Sequence, residues 1–112
     1  MTRVYVWNDV PADSGGGADR RLIVGEGADL KMISITAGTS AGRHSHPFEQ
    51  FVHVLSGTGT LECEIGTVAL RPGTVLHFPP DAWHSAVFET DTVLVEVNLR
   101  PSPVPGEGGA RP

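Results

Sequence analysis

Gly38-Thr39-Ser40-Ala41-Gly42-Arg43-His44-Ser45-His46-Pro47-Phe48-Glu49-Gln50-Phe51-Val52-His53-Val54-Leu55-Ser56-Gly57 decides the reading of this chain. Taken as extended backbone, side chains two residues apart share a face, so His44, His46, Gln50, Val52 and Val54 point the same way. That face opens with two imidazoles and an amide and ends in valines. It forms a half-shell of nitrogen and oxygen donors at the mouth of an apolar interior. Such donors suit a borderline divalent cation. By the same parity Glu49 falls on the opposite face.

A bare His-x-His pair is more often a pair of surface histidines beside a turn than a ligand pair. A third histidine changes that reading. It closes the stretch Phe78-Pro79-Pro80-Asp81-Ala82-Trp83-His84, where a proline turn delivers it to the start of another strand. Histidines arriving from two separate segments form a ligand cluster in place of a chance dipeptide.

The two stretches resemble the paired motifs of the cupin superfamily, which are small jelly-roll barrels. Gly38, His44, His46, Gln50 and Gly57 follow the spacing of the first motif, and Gly73, Pro79, Asp81 and His84 that of the second. With the segment between them they span residues 38–88, about half the chain. The resemblance implies that His44, His46, Gln50 and His84 are the metal ligands, for Zn, Fe, Mn or Ni. The form His-x-His-Pro-x-Glu-Gln also looks like the first motif of some small bacterial cupins that act on sugar acids. Three positions depart from the usual pattern: Gln50 stands where the family usually has Glu, Asp81 where it has Gly, and Phe88 where it often has Asn.

The departure at position 50 has a charge consequence. A carboxylate would cancel one charge of a divalent ion, whereas an amide oxygen cancels none. Three imidazoles and Gln50 leave the full charge of the ion in place, making it a stronger Lewis acid but more weakly held.

Around this core the chain reads as one all-β domain over residues 1–100. Its 112 residues suffice for one modest core and not two. Eight basic against thirteen acidic residues give a net charge of −5, which leaves no basic footprint for nucleic acid or an anionic membrane. Cys63 is the only cysteine, so no intrachain disulfide can form. With no signal-like start and no membrane-spanning apolar run, the expectation is a soluble cytoplasmic protein.

Short β-rich runs recur about every ten residues between Gly- and Pro-bearing turns, the pattern of a sandwich or barrel. Strands are expected at 3–7, 20–24, 30–36, 60–65, 67–70, 74–78, 85–88 and 92–99. Ser14-Gly15-Gly16-Gly17-Ala18-Asp19 reads as a flexible loop. In the last strand Val93, Val95, Val97 and Leu99 share one face and Thr92, Leu94, Glu96 and Asn98 the other. From Pro101 the composition turns to Pro, Gly and Ser, which reads as a disordered tail.

Several further residues have both a plain and a functional reading. His53 has the wrong parity for the ligand face and reads as an outer-face or interface residue. His77 precedes the proline turn and is either exposed or a fifth ligand or base. Arg43 is a turn arginine or a fork for a substrate carboxylate. Trp83 covers the mouth or stacks on a substrate, and Asp81 supports a tight left-handed turn.

The combined expectation is a metal-dependent enzyme acting on a small oxygenated molecule such as a sugar acid or polyketide. A divalent cation acts as Lewis acid for isomerisation, cyclisation, elimination or ring opening, while Tyr5, His77, Glu96 or metal-bound hydroxide moves a proton, the sequence not distinguishing among them. The alternatives are a non-heme Fe(II) dioxygenase, because neutral histidine sets also hold Fe(II), and a small-molecule-binding cupin without chemistry. A homodimer is expected, with the strand at 3–7 protecting a sheet edge.

Overall fold

The architecture follows from period-two runs cut by turns, as a computed structural model describing residues 1–100 shows. The strands are β1 (Ala12–Gly15), β2 (Ala18–Val24), β3 (Ala28–Ile35), β4 (Ser40–His44), β5 (Gln50–Ser56), β6 (Gly59–Cys63), β7 (Gly66–Leu70), β8 (Val75–Phe78), β9 (His84–Phe88) and β10 (Thr92–Leu99). A six-stranded sheet in the order β1-β2-β3-β10-β5-β8 faces a four-stranded sheet in the order β4-β9-β6-β7. Every pairing is antiparallel, giving the expected all-β jelly roll. The Pro- and Gly-rich tail expected from residue 101 lies outside the described residues. Among those described, no helix is long and apolar enough to cross a membrane.

The core lies between the sheets. Ile33 and Ile35 of β3, Val52 and Val54 of β5 and Leu94 of β10 meet Leu61, Leu70, Ala86 and Phe88 from the opposite sheet. Val54 is completely buried. Alternation in β5 is strict, with Gln50, Val52 and Val54 inward and Phe51, His53 and Leu55 outward. In β10 the inward face is Thr92, Leu94, Glu96 and Asn98, and the valines point outward beside Leu30, Met32 and Phe51. The more apolar face is therefore the outer one. That choice places a carboxyl and an amide inside the sandwich.

Two expectations at the N-terminal end are corrected. Residues 3–7 form no strand. Trp7–Asp9 instead make one 3₁₀ turn, closed by Val10 N–H donating to Trp7 O at 3.1 Å. The segment is held by the Arg21 guanidinium, which donates to the carbonyls of Trp7, Asn8 and Val10. An isolated run of alternating residues has no ladder of its own, and side-chain capture of its carbonyls wins. Conversely, the glycine run read as a loop is a hairpin. Gly16 and Gly17 have φ of 61° and 80° between the paired ends Gly15 and Ala18, the left-handed conformation a two-residue hairpin loop requires.

Gly57 ties β5 to the loop before β10. Its φ is 93°, and a Cβ there would lie 2.5 Å from both Asp91 O and the Cα of buried Thr92. Neither backbone atom can move aside. Gly57→Ala is expected to destabilise the fold by on the order of 3 kcal/mol, read as a lower urea midpoint at unchanged m-value.

Candidate metal centre

The first quoted stretch is not one strand. β4 ends at His44 in the four-stranded sheet, β5 starts at Gln50 in the six-stranded sheet, and residues 45–49 cross between them. Pro47, which lacks an N–H, sits in this crossing. The histidines and the amide therefore converge from opposite sheets across the sandwich mouth.

His44 reaches the inner face through a bulge. Ala41 lies opposite Ala86 and His44 opposite His84, so β4 spends three residues where β9 spends two. The extra residue reverses the parity and turns His44 to the side of Ala41. Its Nδ1 lies 2.6 Å from the carbonyl of Gly42, so Nδ1 carries the proton and Nε2 keeps a free lone pair.

His84 begins β9 immediately after the proline turn. Asp81, the one non-Gly residue with positive φ (68°) among the described residues, donates its backbone N–H to His46 O at 2.6 Å and so ties the two motif segments together. The buried His84 ring stacks on Phe78 at 4.1 Å between centroids. Its Nδ1 is buried without a hydrogen-bond partner.

One ring nitrogen from each of His44, His46 and His84 lies within 4.8 Å of the other two. Bonds of about 2.1 Å to one ion impose ligand spacings of ~3–3.5 Å, so small side-chain rotations separate this cluster from a coordinating set. Gln50, only 3% exposed, lines the same cavity. Its Nε2 donates to Asn98 Oδ1 at 2.8 Å, which fixes the amide, and Oε1 is buried with no partner. An unsatisfied buried carbonyl oxygen is costly unless something binds it. The donor set fits a divalent cation: three imidazoles and one amide oxygen held for a ligand.

Burial and neighbouring charge favour the neutral form of two of the imidazoles. Burial first, then His44, then Lys31 hold the pKa of His46 below its ordinary value. Burial first and then His44 and His46 do the same for His84. Both are thus neutral and able to ligate at pH values where an ordinary histidine is already charged.

The cluster opens into a cavity of about 390 Å³ whose inner wall is apolar, with Val52, Leu76, Phe78 and Leu94 among its residues. Glu96 lines it too. Burial pushes its carboxyl above the usual range, against the pull of Lys31 and the Asn98 amide. Of the three side chains expected to move a proton, only Glu96 reaches this cavity. His77 points outward from β8, bonded to Glu49 at 2.6 Å and stacked on Phe51. Tyr5 is half exposed in the N-terminal segment. His53 is on the outer face, and the Arg43 guanidinium sits 3.8 Å over the Trp83 ring, so those two side chains engage each other.

Residues 31–98 match the cupin domain family, well over half of the chain. This chain belongs to the cupin family. No curated protein resembles it closely enough to be matched by sequence. Solved structures similar to this cupin include an RmlC-like cupin from Shewanella frigidimarina, 20% identical over 96% of each chain with a TM-score of 0.81. KdgF from Halomonas sp. is 20% identical, with 89% of this chain and 96% of that one covered, at a TM-score of 0.80. Ectoine synthase from P. lautus is 18% identical, over 88% and 78% of the two chains, also at 0.80. At these identities the likeness is one of fold.

Sequence reading missed Lys31 and Arg20 as cavity residues and Asn98 as the partner that holds the Gln50 amide. For Asn98 and Lys31 the available signal was alternation, since they share faces with Glu96 and Ile33; for Arg20 only the pairing of β2 with β3 places it at the cavity.

Proposed function

We propose that this cupin is a small-molecule enzyme using a divalent cation, held by His44, His46, Gln50 and His84, for non-redox chemistry on an oxygenated substrate. Isomerisation, cyclisation, elimination and ring opening of a sugar acid or polyketide are the reactions in range. The observation that carries the reading is the buried, unpartnered Oε1 of Gln50 on the wall shared with three clustered imidazoles. When bound, the cation supplies Lewis-acid polarisation of a substrate oxygen.

The chain's own residues supply the rest. The hydrogen bonds of His44 to Gly42 and of Gln50 to Asn98 preset the donor atoms before any ligand arrives. The apolar wall around Val52, Leu76, Phe78 and Leu94 excludes water from a cavity sized for a small ligand. Glu96 moves the proton. Its raised pKa leaves a carboxyl oxygen able both to take a proton from substrate carbon or hydroxyl and to return it. Ectoine synthase and KdgF, which share the fold, lend support because the first is named as an enzyme of synthesis and the second matches nearly end to end.

The test is metal analysis of anaerobically purified protein followed by oxygen-uptake assays with and without Fe(II). Turnover with a redox-inert ion such as zinc, and no oxygen consumed, is the expected result. Oxygen consumption coupled to turnover overturns the Lewis-acid reading and makes the protein an Fe(II) dioxygenase.

A further inference from the structure

Two cationic side chains line the cavity, and neither makes an ion pair. Lys31, the chain's one lysine, occupies the inward face of β3, half-buried, and Arg20 lines the cavity from β2 while remaining exposed. Lys31 lies directly opposite Glu96 in the β3–β10 register. Even so, the ion pairs among the described residues are Arg100 with Asp29 and His77 with Glu49, and neither Lys31 nor Arg20 is in one. Arg20 donates one N–H to Gly15 O at 3.2 Å, which steadies the guanidinium and leaves its other donors free.

Glu96 is the one carboxyl among the described residues lining this cavity, and burial opposes its ionisation. A half-buried ammonium with no counter-ion is costly. Gln50 carries no charge. The cavity thus holds two cations against a single carboxyl even before a divalent ion adds to the excess.

We infer that the substrate is a small hydroxy- or oxo-carboxylate whose carboxylate is bound by Lys31, with Arg20 beside it, while its other oxygens face the imidazole cluster. This inference rests on the metal-centre reading above and narrows its substrate class to anions. It also moves the anion site away from Arg43, whose guanidinium is engaged by Trp83. A cavity of about 390 Å³ admits such an acid and excludes a macromolecular anion.

Calorimetric titration of zinc-loaded protein with gluconate and malate, against sorbitol as a polyol lacking the carboxylate, tests it. Both carboxylates are expected to bind at least ~10-fold tighter than sorbitol, because a charge-assisted hydrogen bond is added. Lys31→Met is expected to lose roughly ten- to hundredfold of the carboxylates' affinity with sorbitol binding unchanged, and Lys31→Arg to retain most of it. Unchanged carboxylate affinity in Lys31→Met overturns the inference. So does the lack of any carboxylate preference in the wild type, including the case where no probe binds. Zinc content measured on the same samples separates the two readings. Wild-type protein that holds no zinc sinks the metal centre, whereas zinc-replete protein blind to the carboxylate sinks only the anion site.

Discussion

Replacing His84 by alanine empties the proposed metal centre: zinc content falls from about one ion per chain to background, and apparent affinity drops by more than roughly 10²-fold. Loss of a mere supporting partner already costs about ten- to hundredfold, and His84 is placed as a ligand. The variant also melts at lower temperature, because the ring it lacks is buried and stacked on Phe78. Gln50→Glu separates ligation from folding. It conserves shape and adds a negative charge to a neutral donor set, so zinc is expected to bind about tenfold tighter or more, with the Asn98 amide turned to donate to the new carboxylate and the metal-free variant melting below wild type. Elemental analysis together with competition against a chelator reads both variants. If His84→Ala keeps its zinc, these histidines do not hold the ion.

Glu96→Gln is the second large effect. With the proton mover gone and shape kept, kcat is expected to fall by about 10²–10⁴-fold at unchanged zinc content and little-changed KM. A second readout needs no substrate. The Glu96 carboxyl has a higher pKa in the folded protein than in the unfolded chain, chiefly through burial. Folded protein therefore holds that proton more tightly. The group favours folding below its unfolded value, near 4.3, and that contribution is lost as pH rises through the folded value. At pH 8 the ionised carboxyl opposes folding, so metal-free Glu96→Gln is expected to melt above wild type there, with the gap closing by pH 4. A variant that melts alike at both pH values would place Glu96 in a solvated position outside the cavity.

Much of the fold was legible because it is written in local chemistry. Strand β10 was read with its observed bounds, and β5 alternates as its residues do. Asp81 was read as a left-handed turn residue and has a φ of 68°. The hairpin at Gly16-Gly17 is equally local but reads as a flexible loop, since a glycine pair is both flexible and the natural occupant of a tight two-residue loop. The strand read at 3–7 failed for the opposite reason: its residues favour extended backbone, but nothing in the described residues offers them a ladder.

The candidate site was only half legible. Grouping His44 and His46 with Gln50 rested on the parity of a continuous strand, and the chain does not run that way. His44 faces inward because β4 carries one residue more than β9 between two paired positions. His77 and Glu96 had equal standing as proton movers until the register sent one to the outer surface and the other into the cavity.

By itself the sequence determined the alternation of its strands, the positions of its turns and the kinds of donor it carries, because each depends on residues within a few positions of one another. Only the tertiary structure decided which face of β10 is inside, that a bulge reverses His44, and that Lys31 stands in the cavity opposite Glu96 and outside any ion pair. Both faces of β3 and β10 are apolar enough to be buried, so hydrophobic pattern cannot choose between them. The choice is made by pairing with strands far away in the chain.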